Sequence, residues 1–148
     1  MKKLIFIIVI MHFTMNVNSL LSQNFEQLPT KLRDSLLIKI ADRAVEKYGP
    51  EYNRGYLTPI VKFEGECKEG DHKGESYYTV TYLYDKTKEL LDQDFSARVV
   101  ILEKTGKAIG ILFGNSHGYS IEDIEKKGKT VEKMPFITRK MPEKFKYY

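Results

Sequence analysis

Ser76-Tyr77-Tyr78-Thr79-Val80-Thr81-Tyr82-Leu83-Tyr84 decides the fold of this chain. Tyr78, Val80, Tyr82 and Tyr84 fall on one set of alternate positions, and Tyr77, Thr79, Thr81 and Leu83 on the other. Side chains along a strand point to opposite faces in turn, so the run describes a strand with one face against a helix and the other partly wet. Upstream the period changes. Leu36, Leu37, Ile40, Ala41, Ala44, Val45 and Tyr48 recur at spacings of three and four between Lys39, Asp42, Arg43, Glu46 and Lys47. That spacing predicts an amphipathic helix over 31–48. Thr30, after Pro29, is the expected N-cap, and Gly49-Pro50 the stop, since glycine can take the left-handed cap conformation and proline cannot continue a helix.

The remaining elements extend this pattern. Pro59 to Glu64 reads as a short strand with Val61 and Phe63 on one side. Phe95 to Glu103, with Phe95, Ala97, Val99 and Ile101 in register, pairs with Ala108 to Phe113 across the turn Lys104-Thr105-Gly106-Lys107, where glycine supplies a positive φ. Gly114-Asn115-Ser116-His117-Gly118 closes the last strand, and Ser120 with Asp123 three residues on marks the start of a short helix to Lys127. The expected fold class is α+β: an N-terminal helix packed on a curved four-stranded antiparallel sheet, with a short C-terminal helix and an extended tail.

Three segments follow from composition. Residues 1–19 carry Lys2 and Lys3, then an apolar run from Leu4 to Phe13 broken only by His12, then Val17-Asn18-Ser19. This reads as a secretory signal, shorter than the ~20 residues of a permanent membrane span. Cleavage after Ser19 or Ser22 gives a periplasmic or secreted protein with no stable membrane insertion. Residues 20–128 form a single domain, and 129–148 a basic aromatic tail. From Lys126 to Tyr148 there are eight Lys or Arg and two Glu, interleaved with aromatic residues. The formal net charge of the whole chain is +4, two units of it from Lys2 and Lys3. The remainder is too small an excess to argue for nucleic acid.

Little here carries catalysis. Cys67 is the single cysteine, so no intramolecular disulfide is available, and the nearby Glu66 and Glu69 disfavour its thiolate. His72 and His117 stand in different loops without zinc-ligand spacing, so no metal or other cofactor is expected. Ser116 and His117 read as turn formers, Thr105-Gly106-Lys107 as a hairpin turn and not a phosphate loop, and Glu122, Asp123 and Glu125 as acids facing water. No catalytic residue is assigned. Tyr78, Tyr82 and Tyr84 belong under the helix. The expected partner-binding residues are Tyr77, Thr79 and Thr81 on the other face, Asn115 and His117 in their loop, and Lys140 and Phe145 in the tail.

The order of a helix ending in Tyr48-Gly49, then Tyr77-Tyr78-Thr79-Val80, then Ala97-Arg98-Val99-Val100-Ile101 through Lys104-Thr105-Gly106-Lys107 to Ile109-Gly110-Ile111 resembles small cystatin-like and nuclear-transport-factor-2-like domains. Within the second fold it is similar to bacterial immunity proteins, and PepSY-type secreted domains share a similar hairpin. The resemblance spans about Leu36 to Gly114. It implies a non-enzymatic protein in the cell envelope that binds and neutralises a protein partner, such as an incoming toxin. The alternative is a small-ligand-binding or enzymatic domain using a pocket between helix and sheet.

Overall fold

The computed structural model describes residues 25–136 and the backbone of 139–140. The expected signal at 1–19 and Phe145 lie outside the described residues. After a 3-10 turn at Phe25–Gln27, helix α1 spans Thr30–Tyr48 and buries Leu37, Ala41, Ala44, Val45 and Tyr48. The apolar stripe read from the sequence is thus the face turned inward. The helix stops at Tyr48, before Gly49-Pro50, as read, but the capping at both ends differs from expectation. Pro29, not Thr30, is the N-cap residue, with φ −54° and ψ 136°, and no side chain caps the end. The ring fixes that entry angle, while the Pro29 carbonyl accepts from the Leu32 and Arg33 amides at 2.9 and 3.0 Å. At the C-terminus Gly49 is extended, with φ −166°, and its N–H donates to the Val45 carbonyl at 2.8 Å. No left-handed cap forms. Glycine is needed for proximity instead: a Cβ there would lie 2.4 Å from Cε1 of Phe113.

The strands are β1 (Ile60–Glu66), β2 (Ser76–Tyr82), β3 (Glu89–Leu90), β4 (Ala97–Leu102), β5 (Ala108–Phe113), β6 (Gly118–Ser120) and β7 (Arg139–Lys140), with helix α2 (Ile121–Lys127) after β6. Five of them form one antiparallel sheet in the order β1-β2-β4-β5-β6, and β3 pairs with β7 separately. The sheet has five strands where four were expected. Gly114 to Gly118 does not end it: Ser116 turns with φ 66°, the Phe113 N–H donates to the His117 carbonyl at 2.8 Å, and the chain returns to pair Leu112 with Gly118 and Gly110 with Ser120. A three-residue strand is too short to show alternation. The β4–β5 hairpin stands as read, with Gly106 at φ 64° and Phe25 packed so closely that a Cβ would meet its ring at 2.7 Å.

One face of the sheet meets α1. Val80, Val99 and Ile101 are completely buried against Leu37, Ala41 and Val45, and each such side chain contributes about 1.5–3 kcal/mol. Tyr78 and Tyr82 are buried in the core under α1 as expected, the Tyr82 hydroxyl donating to Asp42 Oδ1 at 2.7 Å, whereas Tyr84 is buried outside that cluster and donates its hydroxyl to the Gln93 carbonyl at 3.1 Å. Ser120 Oγ accepts from the Asp123 amide at 3.3 Å, so the predicted helix start is the observed one. Beyond α2 the chain returns to the core. Met134 is buried and its N–H donates to the Tyr48 carbonyl at 2.6 Å, while Phe136 packs edge-on to Tyr52 with ring centroids 5.2 Å apart. Arg54 secures this return: it grips Glu89 through Nε at 2.7 Å and a second nitrogen at 3.1 Å, and its guanidinium lies 4.4 Å from the centre of the Phe136 ring.

Candidate functional site

Antiparallel pairing places Ile60, Thr81, Arg98, Leu112 and Gly118 in one row across the sheet, and Lys62, Thr79, Val100, Gly110 and Ser120 in the next. Both rows point away from α1, because Val61, Val80 and Val99 at the intervening positions point toward it. Among the described residues no element covers this outer face. Ile60 is 51% exposed and Leu112 37%. Between Ile60, Lys62, Thr79, Thr81, Phe95 and Arg98 lies an open cleft of about 270 Å³.

The polar groups on this face are already tied together. Arg98 Nε donates to Thr81 Oγ1 at 3.1 Å, and its guanidinium stacks 4.1 Å from the centre of the Phe95 ring. Thr79 Oγ1 donates to Glu64 Oε1 at 2.9 Å, and Lys62 Nζ holds Glu64 Oε2 at 2.7 Å. Lys62 chiefly, with the Thr79 hydroxyl, lowers the Glu64 pKa below the ordinary carboxylate value. The result is a prepositioned strip of alternating charge flanked by Ile60 and Leu112. Such a strip can orient a partner while the apolar residues supply buried area.

The residues expected to bind a partner are not all brought together. Tyr77 and Thr81 are half-buried on the outer face, and Tyr77 sits opposite Gly65 and Leu102. Thr79 shares that face but is only 6% exposed, and its hydroxyl is committed to Glu64. Alternation placed it correctly; the irregular pairing between Phe63 and Gly65 accompanies the covering Glu64 side chain. Asn115 and His117 sit past the strand ends. Asn115 is buried, its Oδ1 accepts from the His117 amide at 3.1 Å, and the His117 ring donates from Nδ1 to the Asn115 carbonyl at 2.9 Å. The Asn115 side chain therefore shapes a turn. Ser116 accepts from Gln93 Nε2 at 2.8 Å. Lys140 lies in β7 opposite Glu89, in the separate two-stranded sheet.

One cluster has no counterpart in the sequence reading. Glu122, read as facing water, is the centre of an ion-pair network: Lys107 at 2.9 Å, His72 Nε2 at 2.7 Å and Lys126 at 3.9 Å. Glu75 holds the other ring nitrogen of His72 at 2.8 Å. Lys107 first, and His72 second, pull the Glu122 pKa down to about 2, while Glu75 and then Glu122 raise that of His72. The two carboxylates bind opposite sides of the imidazole and do not converge on a point, so this is a clamp between the 67–75 loop, the β4–β5 turn and α2. Cys67, at the root of that loop, is half-buried; burial first and Glu75 second raise its thiol pKa, whereas Glu66 and Glu69 were the expected causes.

Among the described residues no group of three or more His, Cys, Asp or Glu side chains could hold a metal ion. No described helix is long and apolar enough to cross a membrane. Compared with protein-family models, curated proteins and solved structures, the chain matches none.

Proposed function

We propose that this chain is an exported, non-enzymatic binding protein, an immunity or inhibitor protein that engages a protein partner in the periplasm or outside the cell and neutralises it. The observation that carries this reading is the outer face of the sheet, which no described element covers and which presents Ile60 and Leu112 beside the ordered Lys62, Glu64, Thr81 and Arg98 strip. The apolar start of the sequence, Leu4 to Phe13 behind Lys2 and Lys3, supports export. The space between α1 and the middle of the sheet is packed with completely buried side chains, which weighs against an interior ligand chamber there.

The test is coexpression with the protein encoded beside this one. Protection of the cells, together with a complex on size exclusion that Leu112→Asp weakens and the exposed-loop change Lys73→Ala leaves intact, supports the reading. No protection and no complex would sink it.

A further inference from the structure

Both ring nitrogens of His72 rest on carboxylates. Nδ1 meets Glu75 Oε1 at 2.8 Å, within the 67–75 loop, and Nε2 meets Glu122 Oε2 at 2.7 Å, on α2. An ionised carboxylate only accepts, so both nitrogens must donate, and only the imidazolium carries two N–H groups. The neutral ring keeps one. Its other nitrogen would then turn a lone pair on a carboxylate oxygen, and one of the two contacts must break.

The surroundings decide which one. Glu75 is three residues from His72, and its own N–H donates to the His72 carbonyl at 3.0 Å, so that contact is kept without ordering further chain. Glu122 is fifty positions away and has other cations: Lys107 at 2.9 Å, itself 3.8 Å from Glu125, and Lys126 at 3.9 Å. It stays ionised and paired when the imidazole goes neutral. Among the described residues no other hydrogen bond or ion pair joins 67–75 to α2 or to the β4–β5 turn, and Lys68, Glu69, Asp71 and Lys73 stand exposed. The root of the loop is sewn separately, Cys67 N–H to the Glu75 carbonyl and Gly74 N–H to the Cys67 carbonyl, both at 2.9 Å. Gly70 and Gly74, at φ 81° and 85°, flank His72 as hinges.

We propose that residues 68–74 are a proton-operated flap: the doubly donating His72 latches it onto α2, and loss of one ring proton releases it with the sheet intact. Release uncovers Glu122, whose side chain is 14% exposed when latched. The His72 pKa is raised from 6.5, by Glu75 first and Glu122 second, so the flap is closed below 6.5 and opens as pH climbs through the raised value. Each unit by which the closed form holds that pKa above the open form lowers the closed-to-open ratio about tenfold on deprotonation. None of the outer-face groups takes part, so failure of the flap leaves the partner reading untouched.

The experiment places a nitroxide on Lys73→Cys in the full chain carrying Cys67→Ser. It follows relaxation enhancement at the Ile121 and Ile124 methyls of α2 together with the His72 ring nitrogens, from pH 6.5 upward until the ring is neutral. Strong enhancement at the start and its loss in step with ring deprotonation are expected, while the methyls of the completely buried Val80 stay unchanged. His72→Ala should give the weak enhancement at every pH. Glu75→Gln should stay latched after the ring is neutral, because the amide can donate to Nδ1 while Nε2–H remains on Glu122. Four results each overturn the proposal: enhancement that persists once the parent ring is neutral, a His72→Ala chain that behaves as the parent, a Glu75→Gln flap that opens with the parent, or Val80 methyls that shift together with those of α2.

Discussion

Replacing Gly49 with alanine separates two physical accounts of how α1 ends. If the glycine served a left-handed cap, asparagine would substitute well and the cost of alanine would come from the backbone. In the fold, φ is −166°, which any residue adopts, and the obstacle is the Phe113 ring, 2.4, 2.7 and 3.2 Å from the position of a new Cβ. Carbon atoms pack at about 3.5–4.0 Å, so the ring or helix end must move by roughly 1 Å. Phe113 is completely buried and backed by Tyr52, with ring centroids 4.7 Å apart, so it has nowhere to swing. Overpacking of this kind costs about 1–3 kcal/mol, and the loss of unfolded-state freedom returns about 0.4–1. A net loss of about 1–2 kcal/mol is expected. Urea unfolding should show the midpoint falling with unchanged slope. Gly49→Asn should be at least as damaging as Gly49→Ala, and Phe113→Leu should absorb most of the alanine cost, giving a coupling of about 1 kcal/mol in the double-mutant cycle. Additive effects of the two substitutions, or a neutral Gly49→Asn, would refute the close-approach account.

The Glu122 clamp makes stability depend on pH. His72 has a raised folded pKa, so its contribution is full below its unfolded value of 6.5 and is lost as pH rises through the raised value. Glu122 is depressed from 4.5 to about 2, so its contribution is full above 4.5 and disappears as pH falls toward 2. Thermal midpoints should therefore be highest between about pH 4.5 and 6.5, and His72→Gln should flatten the alkaline decline; an unchanged profile in that variant contradicts the clamp. Ser120→Ala removes the cap on Asp123 and should cost about 0.5–2 kcal/mol in chemical unfolding, with Ser120→Asp retaining most of the stability. Leu37→Ala opens a hole under the sheet and should cost about 2–5 kcal/mol, while the half-buried Leu36 on the same helix should cost markedly less.

Periodicity made α1, β2 and the β4–β5 hairpin legible, because each is long enough to repeat its pattern. Tyr78, Val80 and Tyr82 against Val99 and Ile101 needed only alternation. β6 has three residues, and β3 and β7 two each, so their existence depends on what they pair with. The site was legible in the same uneven way. Alternation found the face that carries Thr79 and Thr81, yet could not report that Glu64 lies over Thr79. His72 and Glu122 are fifty positions apart and meet only because the 67–75 loop folds back on α2, a contact without local signature. The Tyr48 environment is equally tertiary: a tyrosine on a helical stripe reads as core, and it is core, buried as far as its hydroxyl.

The way a partner can approach the sheet follows from how its edge is built. Among the described residues β1 is an edge strand, and an unpaired edge invites another strand to add to it. Here that edge carries Lys62, Glu64 and Glu66, and its pairing with β2 is interrupted between Phe63 and Gly65, where Gly65 takes φ 83°. Charge and irregularity of this kind discourage backbone pairing, so strand addition is the weaker mode of recognition. The outer face lacks that protection: Ile60 and Leu112 stand at the two sides of the row that contains Thr81 and Arg98. A partner docked on this face, as proposed, would bury apolar area at both flanks while meeting the Arg98 and Lys62–Glu64 groups in fixed positions. Side chains held by Thr81, Phe95 and Thr79 would lose little freedom on binding, so under the proposed partner-binding reading complementarity to that charge order, rather than area, would set which protein is accepted.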